Sequence, residues 1–537
     1  MKFKSYFLLI LIALGLNSCN LDYFQDAEFG DFVWDGSLAI PLGELDYTVT
    51  ELFEELDDGT AVIGPGEDGV VTIVYEEEID AQSASDFLEI QDQTFNEEIR
   101  SNQTIDNSPI DITLSINETF EFSFTSQGDE RIDSLYFRQG NFNLFVNSNI
   151  AHPSNFTLTV RSLIENNAVL VVQGSTGPFG TFQTEQSMAD LTGLLHQNAN
   201  GDPSPNTFVI EVDYEVQIPA GGSIAPSDNV AFEFQLRNAE YSDLFGYVGQ
   251  QSLEFTAEDI EFGFFDIFSG GDLGFADPKV DFVFANGFGF PLGIDYSNVS
   301  ATAKSGATIN LSGSITDDFQ VVNAPLIDGA EDVVETTHRL DNSNSNISEI
   351  FSSQPSAFRI EVASMPNPNN GPAQYNFINE LQEIAANVVI EIPLDISMDD
   401  LVANEGFDFK NAEDLDQAKR ALMRVNATNE MPMGGILEIQ FLDENGDIIY
   451  TIDERPVFEA AEVGPDGRTI GAAETVSEVL LEDADLRQIE GAARVNIRAR
   501  LSSTDVEQGA SVKLFEDYVL NLKVALQADV ELTTSGN

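Results

Sequence analysis

A single cysteine, three histidines and one tryptophan stand in a chain of 537 residues, and 23 lysines and arginines face 92 aspartates and glutamates. One cysteine excludes an internal disulfide and a Cys-based zinc site. Histidines at positions 152, 196 and 338 fall at unrelated stations, which leaves little material for histidine-dependent catalysis. The formal net charge of −69 argues against nucleic acid or another polyanion as partner, because phosphate contacts need clustered lysine and arginine. Neither a GxSxG elbow nor a P-loop is present, and the glycines at 287, 289 and 293 have the wrong spacing for a dinucleotide loop, with Pro291 between them. What is abundant is apolar: 42% of residues are hydrophobic and 10% aromatic, too many for a disordered acidic tail. Several packed domains are expected.

The first eighteen residues read as an export signal, with Lys2 and Lys4 ahead of the apolar core Phe7–Leu16. Leu16-Asn17-Ser18-Cys19 resembles the lipobox of bacterial lipoproteins, which implies acylation of Cys19 and a mature chain beginning there. Two or three acyl chains anchor a protein stably where one does not. An acidic tether follows over residues 19–30; its acids resemble the surface-export signals of Bacteroidetes lipoproteins, and Asn20 departs from the inner-membrane retention signal of enteric ones. Together these imply the outer membrane, facing outward, with a periplasm-facing orientation as the alternative.

Alternation of apolar and polar residues dominates the remainder, as in FNLFV (Phe142–Val146), FEFQL (Phe232–Leu236) and LEIQF (Leu437–Phe441), the period of half-buried strands. A longer repeat overlies it. Strands ending in Asn147, Asn286 and Asn426 are followed five or six residues later by Pro153, Pro291 and Pro432. After each anchor come a helix-like segment (Asp190–His196, Ile347–Ser353, Asp485–Glu490) and two strands. Asp35 and Pro41 begin a degenerate fourth copy, with a helix at Thr50–Leu56 and Thr50 as N-cap. The expected fold is therefore mainly β: tandem β-sandwich-like modules, each with one short helix, at 31–127, 128–250, 251–400 and 401–537. The anchors read first as structure, since asparagine starts turns and proline cannot donate to a ladder. Loops at one end of a sandwich also cluster in space, which leaves a binding face open.

The runs Pro278–Tyr296, Asp341–Pro355 and Asn429–Gly446 resemble uncharacterised Bacteroidetes lipoproteins. The order strand–Asn–loop–Pro–strand, helix, strand, strand is also similar to WHy/LEA-2-type modules, although the central proline of that family's Asn-Pro-Asn is missing at all three anchors. This second resemblance implies a non-enzymatic β-sandwich linked to stress protection or amphiphile binding.

Among candidate sites, Asp443-Glu444-Asn445-Gly446-Asp447 and Asn198-Ala199-Asn200-Gly201-Asp202 cluster oxygen ligands of the kind calcium takes, through Asp443, Asn445 and Asp447 and through Asn198, Asn200 and Asp202. Neither is an EF-hand, and the first also reads as a hairpin turn. No other cofactor is expected. Phenylalanine, at 40 residues against 12 tyrosines, points to buried cores or an apolar cavity, most densely at Phe262, Phe264, Phe265 and Phe268. The functional expectation is a lipid-anchored outer-membrane protein with a non-catalytic binding, adhesion or structural role toward an envelope protein, glycan or lipid. Amphiphile binding is the alternative, and a carboxylate-dependent glycoside hydrolase the third.

Overall fold

The computed structural model describes residues 32–56, 61–66, 68–101, 104–125, 128–255, 257–326, 332–369, 371, 374–409 and 418–534. The export signal, Cys19 and the acidic tether lie outside the described residues. The protein is mainly β, in several antiparallel sheets. The chain opens in β1 (Phe32–Thr48), turns through helix α1 (Val49–Leu56) and reaches β2 (Val71–Ser83). After a one-turn helix α2 (Ala84–Phe87) come β3 (Gln93–Arg100), β4 (Ile112–Ser123), β5 (Arg131–Ser148), β6 (Ser154–Glu165), β7 (Ala168–Thr176), β8 (Thr181–Ser187), β9 (Thr192–Leu194), β10 (Thr207–Ile218) and β11 (Asn229–Tyr247). Next are β12 (Phe268–Phe275), β13 (Lys279–Asn286), β14 (Val334–Leu340), α3 (Ile347–Ser352), β15 (Glu383–Pro393) and β16 (Asp395–Asp408). The chain closes with β17 (Ala418–Asn429), β18 (Met433–Leu442), β19 (Ile448–Phe458), β20 (Ala473–Glu482), α4 (Asp483–Ile489), β21 (Arg494–Ser503) and β22 (Val519–Thr534).

Pairing sorts these strands into three sandwiches. In the first, β3, β11, β5 and β8 form one layer and β4, β10, β6 and β7 the other, with β9 bridging β5 and β6. Inward positions on both layers are phenylalanines: Phe95 stacks on Phe122 at 4.6 Å, and Phe156 meets Phe232 edge-on at 6.0 Å. In the second, β2, β15, β13 and β14 pack against shorter strands, where Phe282 meets Tyr296 at 4.9 Å. In the third, β1, β22, β17 and β20 face β12, β16, β21, β18 and β19. Alternation explains the layers directly: Ile384, Ala386, Val388, Ile390 and Ile392 of β15 are all buried, their neighbours half-buried. Burying each large aliphatic or aromatic side chain contributes about 1.5–3 kcal/mol.

Among its described residues, the segment 31–127, expected as a first module, has no sheet of its own. β1 pairs with β22 in the third sandwich, β2 with β15 in the second, and β3 and β4 with β11 and β10 in the first. Strands also cross the expected boundaries at 250 and 400. Asn376–Asn379 pairs with β11 of the first sandwich, and β12 pairs with β16, which continues into the third. Local periodicity gives a strand's face, whereas its partner depends on matching across hundreds of residues. The expected helix at Asp190–His196 is instead β9, where Gly193 lies so close to β5 that a Cβ would sit 2.8 Å from Leu135. Helices do form at the other three stations, and α1 is capped by Thr48 and not by Thr50, which lies within it: Thr48 Oγ1 accepts from Glu51 N and Thr48 N donates to the Glu51 carboxylate.

The sandwiches stand in a row. β15 starts beside the first sandwich, where Glu380 N, just ahead of it, donates to Ser242 O of β11, and ends beside the third, where Leu514 N donates to Leu394 O. One hydrophobic cluster runs through both junctions, from Phe95 and Phe234 through Phe284 to Met433 and Leu520. The dense phenylalanine group belongs to the second junction: Phe264 packs on Phe53 of α1 and Phe262 on Tyr75 of β2. That placement uses these rings as inter-sandwich core.

Candidate binding face

The strand-end loops are built by one device, at the expected residue in the second sandwich and at shifted positions in the first and third. Asn286 is fully buried; its Oδ1 accepts from Phe288 N at 2.9 Å, and its Nδ2 donates to Phe290 O and Asn323 O. In the third sandwich the same bonds come from Asn429: Oδ1 accepts from Met431 N at 2.9 Å, and Nδ2 donates to Met433 O and Glu459 O. In the first sandwich Ser148 takes this place, its Oγ accepting from Ile150 N at 3.3 Å. Asn147 and Asn426 are exposed residues within strands, with Asn426 opposite Val476 in the middle of a sheet. Pro153, Pro291 and Pro432 do lie in these loops, while Asp35 and Pro41 fall inside β1, with a bulge after Pro41. Asparagines at strand ends are common in this sequence, so the anchor was placed one and three residues early. The signal that finds it is a polar residue followed by an apolar one two positions on: Asn286-x-Phe288, Asn429-x-Met431, Ser148-x-Ile150, the first two continued by Phe290 and Met433.

The two oxygen-rich segments prove to be the same five-residue turn. Asp443 N donates to Asp447 O at 2.9 Å and Asp443 Oδ1 accepts from Asn445 N and Asp447 N; Asn198 N donates to Asp202 O, and Asn198 Oδ1 accepts from Asn200 N and Asp202 N. Gly446 and Gly201 hold φ of 87° and 82°, the left-handed conformation this turn requires. The backbone bond from Asp447 holds the Asp443 carboxyl below its ordinary pKa. These oxygens close hairpins. Among the described residues no group of three or more His, Cys, Asp or Glu is placed to hold a metal.

The histidines serve carbonyls. His152 Nε2 lies 2.9 Å from Ser223 O, and His196 Nδ1 3.2 Å from Asp133 O. His338 Nε2 lies 3.1 Å from Val321 O, and its Nδ1 2.8 Å from the Tyr296 hydroxyl. Burial lowers the His338 pKa and raises that of Tyr296.

A face that no motif announced lies on the outer layer of the first sandwich. An open groove of about 850 Å³ runs across β3, β11, β5 and β8, lined by Glu97, Glu98, Glu233, Phe145, Asn147 and Gln183 among others. Register arranges its outward side chains in rungs. One rung is Asn96, Glu233, Phe145, Gln183; the next toward the loop end is Glu98, Ala231, Asn147, Thr181; the one on the other side is Thr94, Gln235, Asn143, Glu185. The small Ala231 leaves the hollow between Glu98 and Asn147, and Phe145, 39% exposed, stands at the centre. Arg237 closes one end by donating to Gln235 Oε1 and Thr94 Oγ1, and Arg100 pairs with Glu98 at 2.9 Å at the other. On this face the Asn143 Oδ1 is screened from solvent by its neighbours and accepts no hydrogen bond. Carboxylates and amides around a ring face offer paired donors and acceptors for hydroxyls and an apolar patch for C–H groups. Among the described residues, no lysine or arginine lines the groove between its Arg100 and Arg237 ends.

No family model matches the chain, and no curated protein does. Among solved structures, the chain is similar to a protein from Parabacteroides distasonis ATCC 8503 thought to be secreted, at 15% identity over 54% of this chain and 89% of that one, with a TM-score of 0.29. It is also similar to the infectious bursal disease virus VP2 subviral particle, at 8% identity over 87% and 84% of the two chains with a TM-score of 0.16. Broad bean stain virus follows at 14% identity, 27% and 88% coverage and a TM-score of 0.14. Scores this low transfer neither fold nor function.

Proposed function

We propose that this chain is an exported, lipid-anchored binding protein that holds a neutral, hydroxyl-rich ligand of the glycan class, without transforming it, in the groove of its first sandwich. The observation that carries the reading is the central rung Asn96–Glu233–Phe145–Gln183, an exposed ring flanked by two amides and a carboxylate. Glu97, Glu98 and Glu233 in the lining oppose a polyanion, and the export signal and Cys19 support an envelope location. Affinity electrophoresis of the mature chain through gels containing xylan, mixed-linkage glucan or galactomannan tests it, with alginate as the anionic control. Retardation by a neutral polymer, weakened about tenfold by Phe145→Ala, is expected. Equal retardation by alginate, or none by any neutral polymer, overturns it.

A further inference from the structure

The N-terminal strand lies in the last sandwich of the row and not in the first, and that placement fixes which end meets a membrane. β1 runs antiparallel to β22 with Phe32 opposite Thr534 and Thr48 opposite Val519. Val519 is at the junction with the second sandwich, bonded through its carbonyl to Glu430 N. Phe32 therefore lies at the opposite pole of the third sandwich, beside Thr534 and at the same end as the Asp443–Asp447 turn and α4. At the other extreme of the row, β5 and β11 bring Ser148 and Val230 to the outer pole of the first sandwich, next to the groove and to Phe179, whose N–H donates to Ile150 O.

The geometry points to a molecule that stands on its third sandwich when Cys19 carries lipid, with the groove at the membrane-distal pole. Thirteen residues from Cys19 to Phe32 reach at most about 45 Å. Between the poles lie β11, β15 and β22, of 19, 11 and 16 residues, roughly 150 Å of strand at 3.3 Å per residue. This corrects the linear view of the chain, in which the acid-rich beginning sits at the membrane and the C-terminal sandwich far from it.

The inference rests on the Cys19 anchor of the proposed function, and the test separates the two. The single cysteine of the mature chain is coupled to maleimide-headgroup lipid in phosphatidylcholine–phosphatidylglycerol vesicles bearing a dansyl-headgroup acceptor. Trp34, the one tryptophan, is replaced by phenylalanine, and a new donor is placed at exposed Ile448 (I448W) or exposed Phe179 (F179W), with V171W as a second first-sandwich probe. Energy transfer from I448W several-fold above that from F179W and V171W is expected. Equal transfer, or more from the first sandwich, overturns the orientation. Fatty-acid labelling of wild type and Cys19→Ala in cells tests the anchor itself, independently.

Discussion

The loops after β5 and β13 are built alike and covered differently. In the second sandwich the Asn286 loop is pressed against the first: Gly289 N donates to Phe377 O, and a Cβ on Gly289 would fall 2.0 Å from the Phe377 ring. In the first sandwich the Ser148 loop has no sandwich beyond it, and Phe179 beside it is 70% exposed. The same strand-end device thus serves as a junction where a neighbour exists and as a free pole where none does. The buried asparagine accompanies the covered loops, the serine the open one.

Breaking the device should cost most where it is covered. Asn286→Ala or Asn429→Ala leaves one buried N–H and at least two carbonyls without partners, and should lower stability by at least about 3 kcal/mol in urea unfolding. Ser148→Ala removes one bond and should lose about 1 kcal/mol. A similar loss from Ser148 and Asn286 would erase the distinction.

The first junction adds a pair of fully buried amides, Asn367 and Asn376, which exchange bonds of 2.9 and 3.0 Å, while Asn376 Oδ1 also accepts from Val248 N. Asn376→Ala should cost about 1–3 kcal/mol and open the junction to limited proteolysis between the first and second sandwiches. The twin turns should respond equally: Asp443→Ala and Asn198→Ala each lose about 1 kcal/mol in thermal unfolding. A much larger loss at one, restored by added calcium, would give that turn a metal role.

A smaller effect depends on pH. Burial depresses the His338 pKa, so folding favours the neutral ring that Tyr296 and Val321 O hold. That contribution is present above the unfolded value of about 6.5 and is lost as pH falls through the folded value. The stability gap between wild type and His338→Gln should therefore narrow on acidification from pH 7 toward about pH 5. Asn426→Ala, at an exposed mid-strand position, should stay within about 0.5 kcal/mol of wild type.

Strand periodicity, the hairpin at Asn445-Gly446 and three of four helical segments were legible in the sequence because each is a local pattern. Partnering was not: β1 meets β22 across more than 470 residues, and nothing within Phe32–Thr48 names Val519–Thr534. The segment Asp190–His196 misled because leucines at 191, 194 and 195 suit a helix, while Gly193 is what permits the close strand. In the groove, FNLFV and FEFQL were readable as strands whose Asn143, Phe145, Glu233 and Gln235 point away from the core. That these side chains meet on adjacent rungs, with Asn96 and Gln183 beside them, follows only from the register.

The central claim is that Phe145 and its rung hold a neutral glycan. The most direct measurement is the Kd of the full mature chain for oligosaccharides cut from whichever neutral polymer retards it, for wild type and Phe145→Ala side by side. The groove predicts about tenfold weaker binding in the variant at unchanged melting temperature; equal affinity for both proteins would contradict it.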